Sequence, residues 1–242
     1  MGRVGVRDSE LCRACRMVPP QFARAAAFGV YEGRLKEAIH ALKYDRIEGA
    51  ARGLGRMLAE AIEQLAGEAP EEMLVVPVPL HRSKSSQRGF NQARLLAAEA
   101  IGFVKKRHPG WRLTLAPRTL MRLRATASQA GLNPHQRRLN VREAFWVSDA
   151  AAVAGRDILL VDDILTTGAT AREAARVLME AGAATVWVAT LARAQRASQA
   201  HGDAVEEEEW DSERQADGPP PMMPPGRMTW AEELPSRERA SS

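Results

Sequence analysis

Two adjacent carboxylates followed by a cluster of threonines are the residues of this sequence best suited to do chemistry. Asp162 and Asp163 come directly after the aliphatic run Ile158–Val161, which is typical of a strand buried on both faces. A helical pattern begins soon afterwards, with alanines and Leu178 on one face. We therefore expect the acids at the carboxyl end of a strand and the threonines at the start of a helix, where open α/β sheets bind ligands.

The loop between that strand and that helix has the chemistry of a sugar-phosphate site. Amide groups at a helix N-terminus attract an anion, and Gly168 lets the backbone approach it closely. Threonine hydroxyls suit phosphate oxygens, whereas the two acids would repel a phosphate and suit ribose hydroxyls or a hydrated Mg2+. The candidate binding residues of this stretch are Asp162, Asp163, Thr166, Thr167, Gly168, Ala169 and Thr170.

Two simpler explanations account for less of this pattern. A nucleoside-triphosphate hydrolase would need a G-x-x-x-x-G-K-[ST] loop, which the sequence lacks. An ordinary strand-to-helix turn with a capping side chain explains one Asp or one Thr, but not two acids and three threonines together.

This stretch resembles the phosphoribosyl-pyrophosphate (PRPP) binding motif of type I phosphoribosyltransferases. The chain carries three further motifs, which are Val76–Arg82, Arg88–Ala93, and Thr126 with Gln129 followed by Arg137, Arg138 and Asn140. Together they make the chain similar to the ComF family of competence-associated proteins. The similarity runs from about Phe22 to Arg193. It implies a type I phosphoribosyltransferase fold, in which a parallel sheet is flanked by helices, and it implies Mg2+-dependent binding of PRPP.

The resemblance also implies roles for residues outside the central stretch. A loop after a second buried strand, Met73–Val78, would hold the pyrophosphate, and its residues are Pro77, Val78, Pro79, Leu80, His81 and Arg82. A basic segment would form a flexible flap that closes over PRPP, and its residues are Arg124, Thr126, Gln129, Arg137 and Arg138. The last strand of the domain would place Thr190, Ala192 and Arg193 where similar enzymes select their nucleophile. No residue stands out as a general base, so enzymatic activity, as a pentosyl-transferring glycosyltransferase, stays open.

The charge distribution leaves a second function open. From Asp203 onward there are 11 acidic residues against 4 arginines, so the preceding part is strongly basic although the net charge is only +4. A basic body suits PRPP, and it also suits a nucleic-acid backbone. The alternative function is a non-enzymatic module that binds single-stranded DNA, or competence and recombination proteins, in natural transformation. Aromatic residues, which stack on bases, make up only 5% of the chain.

Cys12 and Cys15 form the only C-x-x-C pair in the sequence. ComF-like chains commonly begin with two such pairs that build a zinc ribbon, and a structural zinc site needs four ligands. We therefore expect no stable zinc site without a second pair, and we interpret the N-terminal segment as a remnant of half a ribbon.

Composition divides the chain into three segments. Residues 1–21 carry the single C-x-x-C, residues 22–194 form the phosphoribosyltransferase-like domain, and residues 195–242 form an acidic, proline-rich tail that we expect to be disordered. The sequence contains no run of about 18 apolar residues, so we expect no membrane span. Met1–Leu11 lacks the apolar core of a signal peptide, which favours a cytoplasmic location.

Apolar periodicity predicts two helices before the Met73 strand, one ending at Lys43–Tyr44 and one over Glu48–Leu65. Lys36 and Lys43 on the first helix have the length to reach a ligand, but they are more simply interpreted as surface residues. The basic residue that follows the two acids most closely in sequence is Arg172.

Overall fold

The computed structural model describes residues 15, 19–44, 48–80, 89–123, 136 and 141–194, all within one compact unit, Met1–Gly202. The predictions for the tail, residues 195–242, lie outside the described residues. The same holds for the site predictions made for Cys12, His81, Arg82, Arg124, Thr126, Gln129, Arg137 and Arg138.

Helices separate several of the successive strands, in agreement with the α/β prediction. Among the described residues no helix combines the length and the apolar character needed to cross a bilayer. The elements in chain order are β1 (Ala25–Val30), α1 (Gly33–Tyr44), α2 (Glu48–Glu63), β2 (Glu72–Pro77), α3 (Gln92–Arg107), β3 (Arg112–Leu115), β4 (Leu120–Arg122), β5 (Phe145–Val147), β6 (Asp157–Leu165), α4 (Ala169–Glu180) and β7 (Thr185–Arg193).

The main sheet has five strands in the order β1-β7-β6-β2-β3, and every neighbouring pair is parallel. From β2 the chain winds outward to β3, whereas from β6 it winds the opposite way to β7. The winding direction therefore reverses between β2 and β6, which makes this the switch point where such sheets bind ligands. Pro77, the last residue of β2, pairs in register with Val161, so β2 ends directly before the two acids of β6.

Apolar residues bury both faces of this sheet. Helices α1, α2 and α3 cover one face, where Ile39 and Val161 belong to the same core cluster. Helix α4, together with β4 and β5, covers the other face, where Leu120 and Leu160 belong to a second cluster. The run Ile158–Val161 is fully buried, which confirms the prediction of a strand covered on both faces.

A small second sheet lies next to the predicted flap. Strands β4 and β5 pair antiparallel, and the ladder continues where the Leu123 amide donates to the Ala144 carbonyl at 2.9 Å. The sequence analysis predicted no strand at β4, because three residues are too few to show a period. In the sequence, β4 and β5 stand on either side of the segment that carries the predicted flap residues.

Strand β6 extends further than predicted, whereas β2 lies close to its predicted bounds. Strand β6 does not end at Val161 but continues through both acids to Leu165, because β7 is long enough to pair with it as far as Arg193. Strand β2 agrees with the predicted strand Met73–Val78 to within one residue at each end, and Pro77 is its last residue. Proline is tolerated there because it is the last residue of the strand.

Candidate functional site

Asp162 and Asp163 lie within β6 at its carboxyl end, at the switch point beside β2. Both are partly buried, and the Asp163 amide donates to Asp162 Oδ1 at 2.9 Å. Successive side chains of a strand point to opposite faces of the sheet. The two adjacent carboxylates therefore meet different partners.

Asp163 forms an ion pair with Lys43 in the last turn of α1. Lys43 Nζ lies 3.1 Å from Asp163 Oδ2, and the two side chains are only 17% and 16% exposed. The interpretation of Lys43 as a surface residue is therefore wrong. The sequence did contain a signal for its position, because Lys43 follows the fully buried Ile39 by four residues and so lies on the core face of α1.

Lys43 remains charged despite its burial. Burial acts to lower the pKa of its ammonium group, but Asp163, with smaller contributions from Tyr31 and Asp162, raises that pKa above its ordinary value. Tyr31 is itself held in place, since its hydroxyl lies 2.8 Å from His40 Nε2. Tyr31, which influences the pKa of Lys43, and its partner His40 therefore belong to the surroundings of the site. The sequence pattern did not indicate a role for either residue.

Asp162 lies in a less favourable electrostatic environment. Burial, and then the neighbouring charge of Asp163, raise the pKa of its carboxyl group to about 8. The Asp163 amide, Lys43 and Arg122 act in the opposite direction but do not offset the rise. The ionised form of Asp162 is therefore poorly stabilised in the ligand-free protein.

Arg122, at the end of β4, is the second cation near the acids. Burial lowers the pKa of its guanidinium group, and the charge of Asp162 opposes that effect. Its guanidinium carbon lies 5.3 Å from the centre of the Phe145 ring, a cation–π distance. Alternation could have indicated its orientation, because the buried Leu120 precedes it by two residues on the same strand face.

The threonine loop joins β6 to the N-terminus of α4. Gly168 is the N-cap residue and has φ of +74°, a left-handed conformation that favours glycine. A glycine cap offers no side chain to the first amide groups of the helix, which leaves them to loop hydroxyls or to an anion. Thr167 Oγ1 accepts a long hydrogen bond of 3.4 Å from the Ala169 amide. The predicted loop residues therefore surround a helix N-terminus at the switch point.

The predicted pyrophosphate loop offers few backbone donors in its described part. Pro77 and Pro79 have no N–H group, and the Val78 amide donates to the Val161 carbonyl at 2.8 Å. Val78 therefore cannot offer its amide to a phosphate, which leaves Leu80 as the donor among these four residues. Any larger set of donors must come from the residues that follow.

Asn91, in the middle of the Arg88–Ala93 motif, has a structural role. Its Oδ1 accepts from the Arg94 amide at 3.2 Å and so caps α3, while its Nδ2 donates to the Val78 carbonyl at 3.1 Å. This side chain ties the start of α3 to the end of β2 at Val78, the second residue of the predicted pyrophosphate loop.

Two of the three residues predicted to select a nucleophile at the end of β7 are buried. Thr190 and Ala192 are fully buried, and the Thr190 hydroxyl donates to the Ala192 carbonyl at 3.2 Å. Both lie beside β6, because Asp162 pairs in register with Thr190. Of the three residues only Arg193 is exposed.

Cys15 lies close to α4 in the described part of the chain. Its Sγ accepts a hydrogen bond from Arg172 Nη2 at 3.1 Å. Within the described residues no group of three or more His, Cys, Asp or Glu side chains is placed to hold a metal ion. The expectation for zinc stays a prediction, since Cys12 lies outside those residues.

The donor set at the end of β6 fits a sugar with a bound divalent cation. Mg2+ prefers carboxylate oxygens and water, and ribose hydroxyls donate well to carboxylates. The raised pKa of Asp162 shows that a ligand carrying positive charge or hydrogen-bond donors would stabilise its ionised form.

Comparison with known proteins gives a consistent assignment. The phosphoribosyl transferase domain family matches residues 43–219. "DNA utilization protein YhgH" of Escherichia coli (strain K12) is 34% identical over 186 residues, which cover 75% of this chain and 77% of the relative. "Competence protein ComFC" of Bacillus subtilis (strain 168) is 32% identical over 193 residues, covering 79% and 69%.

A third relative and one solved structure complete the comparison. "Competence protein F" of Haemophilus influenzae is 28% identical over 188 residues, covering 76% of this chain and 78% of the relative. A hypoxanthine phosphoribosyltransferase structure from Staphylococcus aureus overlaps 65% of this chain and 71% of its own, with 13% identity and a TM-score of 0.36. On the family model and these relatives, the chain belongs to the ComF family of type I phosphoribosyltransferase-like proteins.

Proposed function

We propose that this protein binds the Mg2+ complex of PRPP in the crevice at the carboxyl ends of β2 and β6. One observation carries the proposal: the adjacent acids Asp162 and Asp163 and the left-handed Gly168 at the N-terminus of α4 lie on one strand–loop–helix unit at the switch point of a parallel sheet. This unit combines hydroxyl and cation acceptors with an anion-binding helix end.

Each part of the crevice takes one part of the ligand. Asp162 and Asp163 accept hydrogen bonds from the ribose hydroxyls, directly or through water bound to Mg2+. The loop from Thr166 to Thr170 holds the 5′-phosphate with hydroxyls and the helix N-terminus. The pyrophosphate lies by the loop from Pro77 to Arg82, and Lys43 and Arg122 supply positive charge beside the acids.

Transfer chemistry would take place at ribose C1. The C1–O bond breaks, pyrophosphate leaves with the electron pair, and a nucleophile bonds to C1 through an oxocarbenium-like state. Bound Mg2+ would offset the negative charge of the leaving pyrophosphate. In this scheme the carboxylates hold the ribose in position.

The binding proposal is tested by thermal unfolding with Mg2+–PRPP, with Mg2+ alone, and with PRPP plus a chelator. The unfolding midpoint should rise with the logarithm of the ligand concentration only when both components are present. Asp162→Asn/Asp163→Asn should lose this response, because amides cannot replace two carboxylates toward Mg2+ and hydroxyls. If the double variant responds like the wild type, the acids are structural and the assignment of the ribose site is wrong.

Two further measurements separate the parts of the proposal. Thr167→Val removes a phosphate donor and should weaken binding by roughly 1.5–3 kcal/mol, the range for a hydrogen bond to a charged group. Pyrophosphate release from bound PRPP, with and without added nucleophiles, tests transfer. Binding without release under any condition would leave the protein as a PRPP-responsive module.

A second candidate function is binding of single-stranded DNA, and it is supported by a different surface. One relative is named a DNA utilization protein and two are named competence proteins. Trp146 on β5 is 43% exposed and Leu123 is 63% exposed. An exposed tryptophan beside the basic end of β4 is the kind of surface on which bases stack.

Trp146→Ala tests this candidate. Loss of a stacking platform should weaken single-strand binding by roughly 1–3 kcal/mol without changing the Mg2+–PRPP response. Affinity should also fall with salt at a slope of roughly −0.7 per phosphate contact on a log–log plot. If the affinity for single-stranded DNA depends neither on Trp146 nor on salt, this surface is not the DNA-binding site.

A further inference from the structure

Lys43 forms its ion pair with Asp163, one of the two carboxylates that the proposed function assigns to Mg2+ and the ribose hydroxyls. Lys43 Nζ is 3.1 Å from Asp163 Oδ2, and both side chains are largely shielded from solvent. The ammonium group already supplies Asp163 with the positive charge and the hydrogen-bond donors that hydrated Mg2+ would bring.

The strand end carries no net negative charge without any ligand. Two cations, Lys43 and Arg122, accompany Asp163 and Asp162, and the pKa of Asp162 is raised to about 8. Adding a bare divalent cation would therefore give this partly buried group an uncompensated charge of at least about +2, which a low-dielectric setting disfavours. Adding a divalent cation together with a polyanionic ester would leave no such uncompensated charge, because the phosphates bring the negative charge.

Lys43 cannot readily leave Asp163 without a new partner. Its helix, α1, is anchored by Ile39 and Leu42, which are both fully buried, so its last turn stays against the sheet. An ammonium group displaced from Asp163 would remain in the crevice and largely buried. The phosphates of an ester bound in the same crevice would provide the anionic partner it needs.

Resting on the proposed function, we infer that Lys43 holds the cation position beside Asp163 in the ligand-free protein, so that the crevice takes up Mg2+ only together with a phosphate ester and excludes the bare ion. Lys43 is thus a positioning residue that exchanges partners. Asp163 passes from the ammonium group to the metal ion or the ribose, and Lys43 passes from Asp163 to a phosphate.

The chain offers a matched control on the same helix. Lys36 lies seven residues before Lys43 on α1, is partly exposed, and makes no ion pair with any described residue. A change at Lys36 removes the same charge from the same helix without touching the acids. Lys43→Arg keeps the charge at the site and serves as the conservative variant.

The experiment measures divalent-cation binding to the full-length protein in the absence of PRPP. Mn2+ is the probe, because its free fraction is read directly from its paramagnetic resonance signal, and thermal unfolding with Mg2+ at constant ionic strength is the second readout. We expect weak or unsaturable binding by the wild type, Lys36→Met and Lys43→Arg, and binding at least roughly tenfold tighter by Lys43→Met, since a like charge has been removed.

A measurement on the wild type alone covers the case in which Lys43→Met fails to fold. Acetylation of lysines should be slower at Lys43 than at Lys36, and Mg2+ alone should leave the rate at Lys43 unchanged, whereas Mg2+–PRPP should change it. A faster rate at Lys43 on addition of Mg2+ alone would overturn the inference.

The outcomes separate this inference from the proposed function. If Mg2+–PRPP stabilises the wild type but Lys43→Met binds Mn2+ no better than Lys36→Met, the inference is wrong and the proposed function stands. If Mg2+–PRPP stabilises neither the wild type nor Lys36→Met, the proposed function fails. Tight binding of the bare ion by the wild type would overturn the inference in either case.

Discussion

Asp162 and Asp163 are neighbours on one strand, yet the fold treats them differently. Asp163 has a direct ion pair with Lys43 at 3.1 Å, whereas Asp162 is held mainly by a neighbouring amide and its pKa is raised to about 8. The difference follows from the strand itself, which directs adjacent side chains to opposite faces. Of these two adjacent acids, Asp163 is therefore stabilised in its ionised form by Lys43, whereas the ionised form of Asp162 would be stabilised by a ligand.

The largest expected effect concerns the pH dependence of stability. In the unfolded chain Asp162 titrates near 3.8, and in the folded protein near 8, so between these values the folded state holds a proton that the unfolded state has released. Stability should therefore fall as pH rises through this window, by up to about 1.4 kcal/mol per pH unit, and level off above it.

Asp162→Asn isolates this contribution because the amide does not titrate. Urea unfolding of wild type and variant at several pH values between 5 and 8.5 should show their difference growing in favour of the variant. Parallel curves would mean that Asp162 is ionised throughout and that the two acids do not differ as described.

The second prediction is that the same substitution changes stability in the opposite direction at Asp163. Asp163→Asn leaves Lys43 largely buried without its anionic partner, and it should lower the free energy of unfolding at pH 7 by roughly 2 kcal/mol. Asp162→Asn at the same pH should be neutral or stabilising, since it removes repulsion between the acids. Equal destabilisation by both variants in urea unfolding would contradict the contrast.

The sequence was sufficient to predict the central unit of the fold. The aliphatic run of β6, the alanine face of α4 and the second strand β2 are long periodic patterns, and the parallel sheet follows from their alternation. The position of the acids at a switch point could be predicted because it depends on the order of elements rather than on particular contacts.

The partners of the acids could not be predicted in the same way. Lys43 precedes Asp163 by 120 positions, and Arg122 belongs to a three-residue strand that pairs only with β5. Such contacts depend on how separate elements pack, which local periodicity does not report. The burial of Thr190 was likewise missed, since a threonine in a strand is equally suited to a core or to a site.

The third prediction tests whether the loop after β6 affects the two acids. Gly168→Ala has room for its new methyl group, which would lie 3.8 Å from Leu165 Cδ1, but the residue keeps φ near +74°. That conformation should cost roughly 1 kcal/mol of stability. Gly53→Ala is the control, because it lies in α2 with nothing within 4 Å and should stabilise the helix by up to about 1 kcal/mol. The pH dependence assigned to Asp162 should be the same in both variants.

The smallest effect on stability is expected from substitution of Arg122. Lys43 forms a direct ion pair with Asp163, whereas Arg122 influences the pKa of Asp162 through its charge. Its charge lowers the pKa of Asp162, so Arg122→Gln should raise that pKa further and extend the window of falling stability to higher pH. Loss of the contact with the Phe145 ring should cost roughly 0.5–1 kcal/mol at all pH values.

Arg118→Gln is the matched control, because Arg118 is exposed and lies four residues earlier in the chain. Urea unfolding across the pH range separates the two contributions of Arg122, since the loss of the ring contact shifts the whole curve and the loss of charge moves only its upper end. A variant that lowers stability uniformly, with the same pH dependence as Arg118→Gln, would show that Arg122 only packs against Phe145. Asp162 would then depend on Lys43 and its own neighbours alone, and the two acids would share one cation.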